Sequence, residues 1–214
     1  MHAIETHLKA LETARDPHNP LRSVPVFPNR DGIVLDVGCG MGQTLSVLDF
    51  PYSHCYGIDV DAEAIHHGRQ MFPTMDLRVG SCESLDFPSC HFNYVMSRVT
   101  LPYTDIPKCL AEIHRVLVPD GEIWLALHGS RMYRIELWQN IRKFRIRALI
   151  RNFYVLLNSL LFHFTGRSYP WNAESRETFQ TESRMRKILT HLGFEIVKVQ
   201  KSGRHFVIEA RKST

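Results

Sequence analysis

The sequence lacks the patterns that are typical of disulfide-rich, metal-binding and membrane-spanning proteins. Its five cysteines are odd in number and show no CxxC spacing, so we expect reduced thiols rather than a disulfide framework or a zinc site. The twelve histidines are scattered along the chain, and we predict no metal centre. The N-terminus shows no basic-then-apolar signal pattern, and the most apolar stretch, residues 148–164, is too short and too polar to span a bilayer. These absences predict a cytoplasmic protein.

Length and composition indicate one ordinary globular domain. Of the 214 residues, 44% are hydrophobic and 22% are charged, which is a normal composition for a soluble protein. The net charge of +4 is too small to indicate nucleic-acid binding by itself. We predict a single domain over residues 1–214, with an N-terminal segment over residues 1–30 and a helical insertion over residues 129–185.

Strand-like and helix-like segments alternate along the chain. Five strands are predicted at residues 33–37, 54–59, 75–79, 92–97 and 122–127. Between them we predict a short helix from Gln43, a helix capped by Asp61 that stops before Pro73, and a helix with the buried stripe Ile106, Leu110, Ile113 and Leu117. Two more strands, on either side of the turn at residues 201–203, predict a C-terminal hairpin. This alternation predicts a mostly parallel α/β sheet with helices on both faces.

The glycine loop that follows the first strand predicts the type of ligand. Gly38, Gly40 and Gly42 form G-x-G-x-G, not the G-x-G-x-x-G of dinucleotide sites, and no Walker-type phosphate loop is present. Asp36 lies two residues before the first glycine, where a carboxylate repels a phosphate but attracts a cation. S-adenosylmethionine carries an ammonium and a sulfonium and no phosphate. We therefore predict S-adenosylmethionine as the cofactor.

A second acidic residue supports this prediction. Asp59 ends the second strand, where its carboxylate can accept hydrogen bonds from the two vicinal hydroxyls of a ribose. Val60 would then lie against the adenine ring, and backbone groups at residues 81–83 can bind the adenine edge.

Together these segments resemble the class I S-adenosylmethionine-dependent methyltransferases, in the small-molecule group that includes ubiquinone and menaquinone methyltransferases. The resemblance rests on LDVGCGMG (35–42), YGIDVD (56–61), GSCESLDFP (80–88), FNYVMS (92–97) and EIHRVLVPDGEI (112–123). It implies a Rossmann-like, doubly wound, mostly parallel seven-stranded sheet that ends in an antiparallel hairpin. It also implies an enzyme that transfers a methyl group.

The resemblance further implies roles for individual residues. Asp36, Gly38, Gly40 and Ser97 would contact the methionine part, and Asp59 the ribose. The adenine would be bound by Val60, Ser81, Cys82 and Glu83, and Cys39 and Gln43 complete the expected cofactor site. The family usually has aspartate where this chain has Ser81 and Asn93. We expect the first change to weaken cofactor binding by about 1 kcal/mol, the value of one hydrogen bond, and the second to affect structure rather than chemistry.

Three residues are candidates for contact with the methyl acceptor. His128 follows the fifth strand at the carboxyl edge of the sheet, where it is either a general base or a packing and orienting group. Tyr103 and Arg98 lie in or beside the loop after the fourth strand and are candidate substrate contacts. The Asn/Asp/Ser-Pro-Pro-aromatic motif of enzymes that methylate base amines is absent at residues 97–100. We therefore expect a small, apolar or aromatic acceptor and no nucleic acid.

The insertion is the most individual part of the sequence. Between residues 131 and 151, seven Lys or Arg residues and one acid are interleaved with apolar residues. This basic amphipathic pattern fits either a lid over the substrate pocket or peripheral contact with an anionic membrane. Two alternatives to a small-molecule methyltransferase also remain at this stage. One is an RNA or protein methyltransferase that docks through the basic insertion, and the other is a non-catalytic partner subunit that binds S-adenosylmethionine.

Overall fold

The computed structural model describes residues 2–19, 21–171, 176–202 and 205–214. The predicted turn residue Gly203 therefore lies outside the described residues. In chain order the elements are α1 His2–Arg15, β1 Val34–Val37, β2 Cys55–Asp59, α2 Ala62–Met71, β3 Asp76–Val79, β4 Phe92–Arg98, α3 Ile106–Val116, β5 Leu117–His128, α4 Ser130–Arg142, α5 Ile146–Thr165, α6 Glu182–His191, β6 Phe194–Ser202 and β7 His205–Lys212.

The seven strands form one sheet in the order β3-β2-β1-β4-β5-β7-β6. Strands β1 to β5 pair in parallel, and β7 pairs antiparallel to both β5 and β6. The predicted Rossmann-like sheet with its antiparallel end is thus confirmed. The strand order reverses between β1 and β4, and such a switch point leaves a crevice at the carboxyl ends of the strands where open α/β folds bind ligands.

Helices cover both faces of the sheet, as the alternating pattern predicts. On one face Leu11 of α1 and Ile65 of α2 join a buried cluster with residues of β1 and β4. On the other face α3 and α6 pack with Phe162 of α5 over the same strands. Because parallel strands are buried from both sides, all four residues of β1 are buried.

Most local signals in the sequence act as expected. The side chain of Asp61 accepts hydrogen bonds from the backbone nitrogens of Glu63 and Ala64, both at 3.0 Å, and so caps α2. Asn93 Oδ1 accepts a 2.8 Å hydrogen bond from the backbone nitrogen of Ile33. Asn93 therefore has the structural role that was expected of it, which is to hold the start of β1 beside β4.

Three local features differ from the prediction. Leu117, which was expected in the helix stripe with Ile106, is extended and begins β5. The helix expected from Gln43 is wrong, because only a short 3-10 turn forms at Leu45–Val47. The reason is local. The backbone is extended at Leu48, which ends the 3-10 turn, and Pro51 disfavours the helical conformation of the residue before it. In the N-terminal segment, to which the sequence analysis assigned no structure, α1 packs against α2.

The insertion consists of the antiparallel pair α4 and α5 and a return segment that leads to α6. The pair is joined by buried hydrogen bonds from Tyr133 Oη to the backbone oxygen of Asn152 at 2.8 Å and from Asn140 Nδ2 to Asn152 Oδ1 at 2.9 Å. The return segment joins the sheet edge, because the backbone nitrogen of Gln180 donates to the oxygen of His128 at 2.8 Å. Among the described residues, no helix has both the length and the apolar content needed to cross a membrane.

Candidate functional site

The glycine loop takes a conformation that side chains disfavour. Gly38, Gly40 and Gly42 have φ values of +80°, +55° and +82°, in the left-handed region that glycine adopts at little cost. The backbone nitrogens of Gly38 and Cys39 donate to the oxygen of Ile58 at 2.8 and 3.1 Å, which ties the loop to the end of β2. A Cβ at Gly38 would also collide with the side chain of Thr100. The glycines thus let β1 turn sharply at the switch point.

Asp59 is bound to the same loop and keeps capacity for a ligand. Its Oδ2 accepts from the backbone nitrogen of Gly40 at 2.7 Å, and its Oδ1 accepts from that of Asp61 at 3.0 Å. An ionised carboxylate has about four acceptor positions, so these two hydrogen bonds leave room for two more donors. A vicinal diol supplies two such donors.

A cavity of about 460 Å³ lies over the carboxyl ends of β1, β2 and β3. Of the predicted site residues, those in its wall are Gly38, Asp59, Val60, Ser81, Cys82, Glu83 and Tyr103. Val60 is exposed and presents an apolar surface for a flat ring. The wall also contains residues that the sequence analysis missed: Ile58, Gly80, Thr100, Thr104, Pro170 and Arg176. Pro170 and Arg176 come from the insertion, and no local pattern in the sequence distinguishes them from its other residues.

Seven predicted site residues are absent from this wall: Asp36, Cys39, Gly40, Gln43, Ser97, Arg98 and His128. For three of them, their contacts explain the absence. The buried Ser97 donates its hydroxyl to the backbone oxygen of Val37 at 2.9 Å, which joins β4 to β1. Gln43 Oε1 accepts from the backbone nitrogen of Met41 at 3.0 Å and stiffens the glycine loop. Cys39 is buried beneath the loop. These positions favour supporting roles over the direct cofactor contacts expected for Ser97, Gln43 and Cys39.

Asp36 is buried with one oxygen unsatisfied. Its Oδ1 has no hydrogen-bond partner among the described residues, an arrangement that is costly unless a ligand or an internal charge compensates it. Burial raises the pKa of Asp36 to about 7, against the opposing effect of the Arg98 guanidinium, and nearby Asp59 adds to the rise. Arg98 therefore acts on Asp36 electrostatically, and it does not line the large cavity. A cationic ligand at this edge would favour the ionised form of Asp36.

His128 lies at the carboxyl end of β5 but is enclosed. Its ring meets that of Tyr103 edge to face, with centroids 5.9 Å apart. The cavity that it lines has a volume of about 20 Å³, which is room for about one water molecule. This position favours the packing and orienting alternative for His128 over the general base.

A further cavity of about 390 Å³ lies between α5 and the return segment. Tyr103 and Arg176 belong to the walls of both this cavity and the larger one. The two spaces are therefore neighbours, separated by these two side chains. Among the described residues, no group of three or more His, Cys, Asp or Glu side chains could hold a metal ion.

The residues of the larger cavity fit S-adenosylmethionine. The acceptor capacity left on Asp59 suits a ribose. Asp36 is buried and is not part of the cavity wall, but its unsatisfied Oδ1 suits a positive charge nearby. The backbone nitrogens of Gly38, Cys39 and Gly40 are already used inside the protein, so this loop provides no phosphate cradle of the dinucleotide type.

Comparison with known proteins also indicates S-adenosylmethionine as the cofactor. The methyltransferase domain family matches residues 35–143, which is about half of the chain. The chain therefore belongs to this family, within the class I S-adenosylmethionine-dependent methyltransferases, and the predicted enzyme class and cofactor are confirmed at the level of the family.

Individual relatives agree with this assignment. The uncharacterized methyltransferase YodH of Bacillus subtilis (strain 168) is 32% identical over 98 residues, which are 44% of this chain and 42% of that protein. The demethylmenaquinone methyltransferase of Symbiobacterium thermophilum is 32% identical over 47% of this chain and 43% of that protein. The chain thus spans about two fifths of the length of these curated relatives. A solved S-adenosylmethionine-dependent methyltransferase of Methanosarcina mazei has the same fold, with a TM-score of 0.59 at 22% identity over 89% of this chain and 99% of that one.

Proposed function

We propose that this protein transfers a methyl group from S-adenosylmethionine to a small apolar or aromatic acceptor. The observation that carries the proposal is Asp59, which ends β2 beside the glycine loop with two acceptor positions left in the wall of a 460 Å³ cavity. When bound, S-adenosylmethionine supplies a methyl group that is already activated by its sulfonium. The chain's own contribution is then to bind, orient and exclude water, and such positioning alone can lower a barrier by several kcal/mol.

Each side chain has a part in this proposal. Asp59 accepts hydrogen bonds from the ribose hydroxyls, Val60 packs on the adenine, and Ser81, Cys82 and Glu83 border its edge. Tyr103 stands at the boundary with the neighbouring cavity and orients the acceptor. Burial, followed by the charge of Glu177, raises the pKa of Tyr103, so its hydroxyl remains protonated at neutral pH and can donate a hydrogen bond. Arg98 adjusts the charge of Asp36 rather than touching the acceptor.

The experiment combines calorimetry with a transfer assay. The protein should bind S-adenosylmethionine and S-adenosylhomocysteine and should not bind NAD. Incubation with methyl-labelled S-adenosylmethionine and fractionated extracts should place the label in a small molecule. Binding without any transfer would favour the non-catalytic partner subunit, whereas label in RNA or protein would replace the small-molecule acceptor. A response to NAD and none to S-adenosylmethionine would refute the cofactor.

We also propose that the insertion makes peripheral contact with an anionic membrane. Residues 131–151 carry the basic surplus noted in the sequence, and the structure adds an apolar stripe on α5. Seven large apolar residues of α5 are exposed. We define the α5 stripe by six of them, without Leu161: Ile146, Ile150, Phe153, Leu157, Leu160 and Phe164. Their alternating spacing of four and three residues keeps them on one side of the helix. A helix of 20 residues extends that side over about 30 Å.

Charge complementarity indicates the partner of the α5 stripe. From residue 137 to residue 165 the sequence contains no Asp or Glu, while Arg142, Lys143, Arg145 and Arg147 cluster where α5 begins. The N-terminus of a helix is itself positive, so these cations destabilise the helix unless an anionic partner lies nearby. An apolar stripe beside a basic cluster matches the acyl chains and headgroups of an anionic bilayer.

Vesicle co-sedimentation tests this contact directly. The protein should pellet with vesicles that contain phosphatidylglycerol and much less with vesicles of phosphatidylcholine, and added salt should weaken the binding. If anionic vesicles leave the protein in the supernatant, the membrane proposal fails and the lid alternative stands.

A further inference from the structure

The 390 Å³ cavity beside α5 has the size and position of an acceptor site. Its volume falls within the range of about 300–1,000 Å³ that is typical of small-molecule pockets. Tyr103 and Arg176 connect it with the proposed cofactor cavity. A molecule in this cavity therefore lies against α5 and next to the proposed cofactor cavity.

The walls of this cavity combine aromatic surface with positive charge. Tyr154 and Trp171 meet edge to face with ring centroids 5.1 Å apart. The charged members of the wall are Arg147, Arg151, Arg176 and Glu177, so arginines outnumber the single carboxylate. Such a lining suits a flat apolar body that carries a negative charge.

The three arginines differ in whether a carboxylate of the protein already pairs with them. Arg151 pairs with Glu177 at 2.5 Å and lies 3.8 Å from Glu136. Arg176 pairs with Asp105 at 3.1 Å. Arg147 is exposed and, within the part of the chain that the structure describes, has no ion-pair partner. Its guanidinium is therefore the group that is available for an anionic ligand.

We propose that the acceptor carries an anionic group, which Arg147 binds, on an aromatic or flat apolar body that lies between Tyr154, Trp171 and Tyr103. Arg147 is thus a specificity-determining residue, which lines this cavity and not the proposed cofactor cavity. This inference rests on the proposed function, because only a methyltransferase needs an acceptor beside the cofactor cavity.

The test uses a matched pair of probes, naphthalene carboxylate and the neutral naphthalene carboxamide, in calorimetry with S-adenosylhomocysteine present. The carboxylate should bind about tenfold more tightly, on the scale of a hydrogen bond to a charged group. Arg147→Gln should abolish the preference, and Arg147→Lys should restore part of it. Arg134→Gln, which removes an exposed charge outside the cavity, is the matched control and should keep the full preference.

The outcomes separate this inference from the proposed function. If S-adenosylhomocysteine binds but the two probes bind equally, or if Arg147→Gln keeps the preference, the anionic acceptor is refuted and the methyltransferase stands. If S-adenosylhomocysteine itself does not bind, the proposed function fails.

A soluble aromatic acid and a lipid headgroup both carry an anionic group of the kind that Arg147 is proposed to bind. Competition of the bound carboxylate with phosphatidylglycerol vesicles distinguishes the two sources. Displacement indicates that Arg147 binds a lipid headgroup, and undisturbed binding indicates that it binds a soluble acid.

Discussion

Two helices of this protein carry large apolar residues at nearly the same spacing but bury them to opposite extents. In α3, Ile106, Leu110 and Ile113 are each 0% exposed. In α5, Ile146, Ile150 and Phe153 are 71%, 52% and 62% exposed. Periodicity therefore predicts a helix with an apolar side, but it does not predict what covers that side. The apolar side of α3 packs against the sheet, whereas we propose that the apolar side of α5 contacts a bilayer.

The comparison extends to the regions that surround the two helices. The core up to β5 contains every cofactor motif, and the methyltransferase domain family matches it well. All of α5 lies beyond the matched residues and carries the features particular to this chain. Tyr103 and Arg176 line both cavities. Apart from these two residues, we expect substitutions in the core to change cofactor binding and substitutions around α5 to change membrane or acceptor binding.

The largest expected effect concerns the basic cluster at the start of α5. Replacement of Arg142, Arg145 and Arg147 by glutamine should weaken binding to anionic vesicles by about 3 kcal/mol, at about 1 kcal/mol for each basic residue near such a surface. S-adenosylmethionine affinity should remain nearly unchanged, because none of the three residues lines the 460 Å³ cavity. Co-sedimentation and calorimetry measure the two quantities. Loss of cofactor binding in this variant would refute the division into two regions.

The reverse experiment changes the core. Asp59→Ala should weaken S-adenosylmethionine binding by about 1.5–3 kcal/mol, because the ribose loses hydrogen bonds to a charged group. Vesicle binding should not change. Asp86→Ala, at an exposed position outside the cavity wall, serves as the control in calorimetry. Equal affinities for wild type and a folded Asp59→Ala variant would remove Asp59 from the site.

The third prediction uses the pH dependence of cofactor binding. Because the pKa of Asp36 is raised to about 7, a cationic ligand must displace a proton below that pH and need not do so above it. Affinity for S-adenosylmethionine should therefore rise by about tenfold, or about 1.4 kcal/mol, between pH 6 and pH 8. Calorimetry across this range measures how the affinity for S-adenosylmethionine changes with pH. Asp36→Asn should remove this pH dependence.

The same carboxyl group should affect stability with the opposite sign. The pKa of Asp36 in the folded state lies above the ordinary value of 3.8. The folded state without ligand therefore binds the carboxyl proton of Asp36 more tightly than the unfolded state does. The contribution of Asp36 to stability is then fully present below about pH 4 and is lost as pH rises through 7. Denaturant unfolding of Asp36→Asn should accordingly show less decline over that range than wild type.

The smallest expected effect tests the departure at Ser81. Ser81→Asp restores the carboxylate that the family usually has there, and it should strengthen S-adenosylmethionine binding by about 1 kcal/mol. Ser84→Asp, also exposed but outside the cavity wall, adds the same charge nearby and should have little effect. If the two variants are indistinguishable in calorimetry, Ser81 does not contact the adenine.

The features that depend on local interactions could be predicted from the order of the residues. Positive φ at Gly38, Gly40 and Gly42 follows from residue type, and the cap at Asp61 joins groups two and three residues apart. The alternation of strands and helices then determines the sheet, which places Asp59 beside the glycine loop. For these reasons the fold, the cofactor and seven residues of the 460 Å³ cavity wall could be predicted.

The features that depend on contacts between distant residues could not be predicted in this way. The bond from Ser97 to Val37 spans 60 positions, and the one that returns the insertion to the sheet joins Gln180 to His128. These contacts enclose His128, occupy the hydroxyl of Ser97 and bring Arg176 to the cofactor cavity. No local pattern encodes them, because each depends on how packed elements meet in space. Whether an apolar stripe is buried, as in α3, or exposed, as in α5, is decided in the same way.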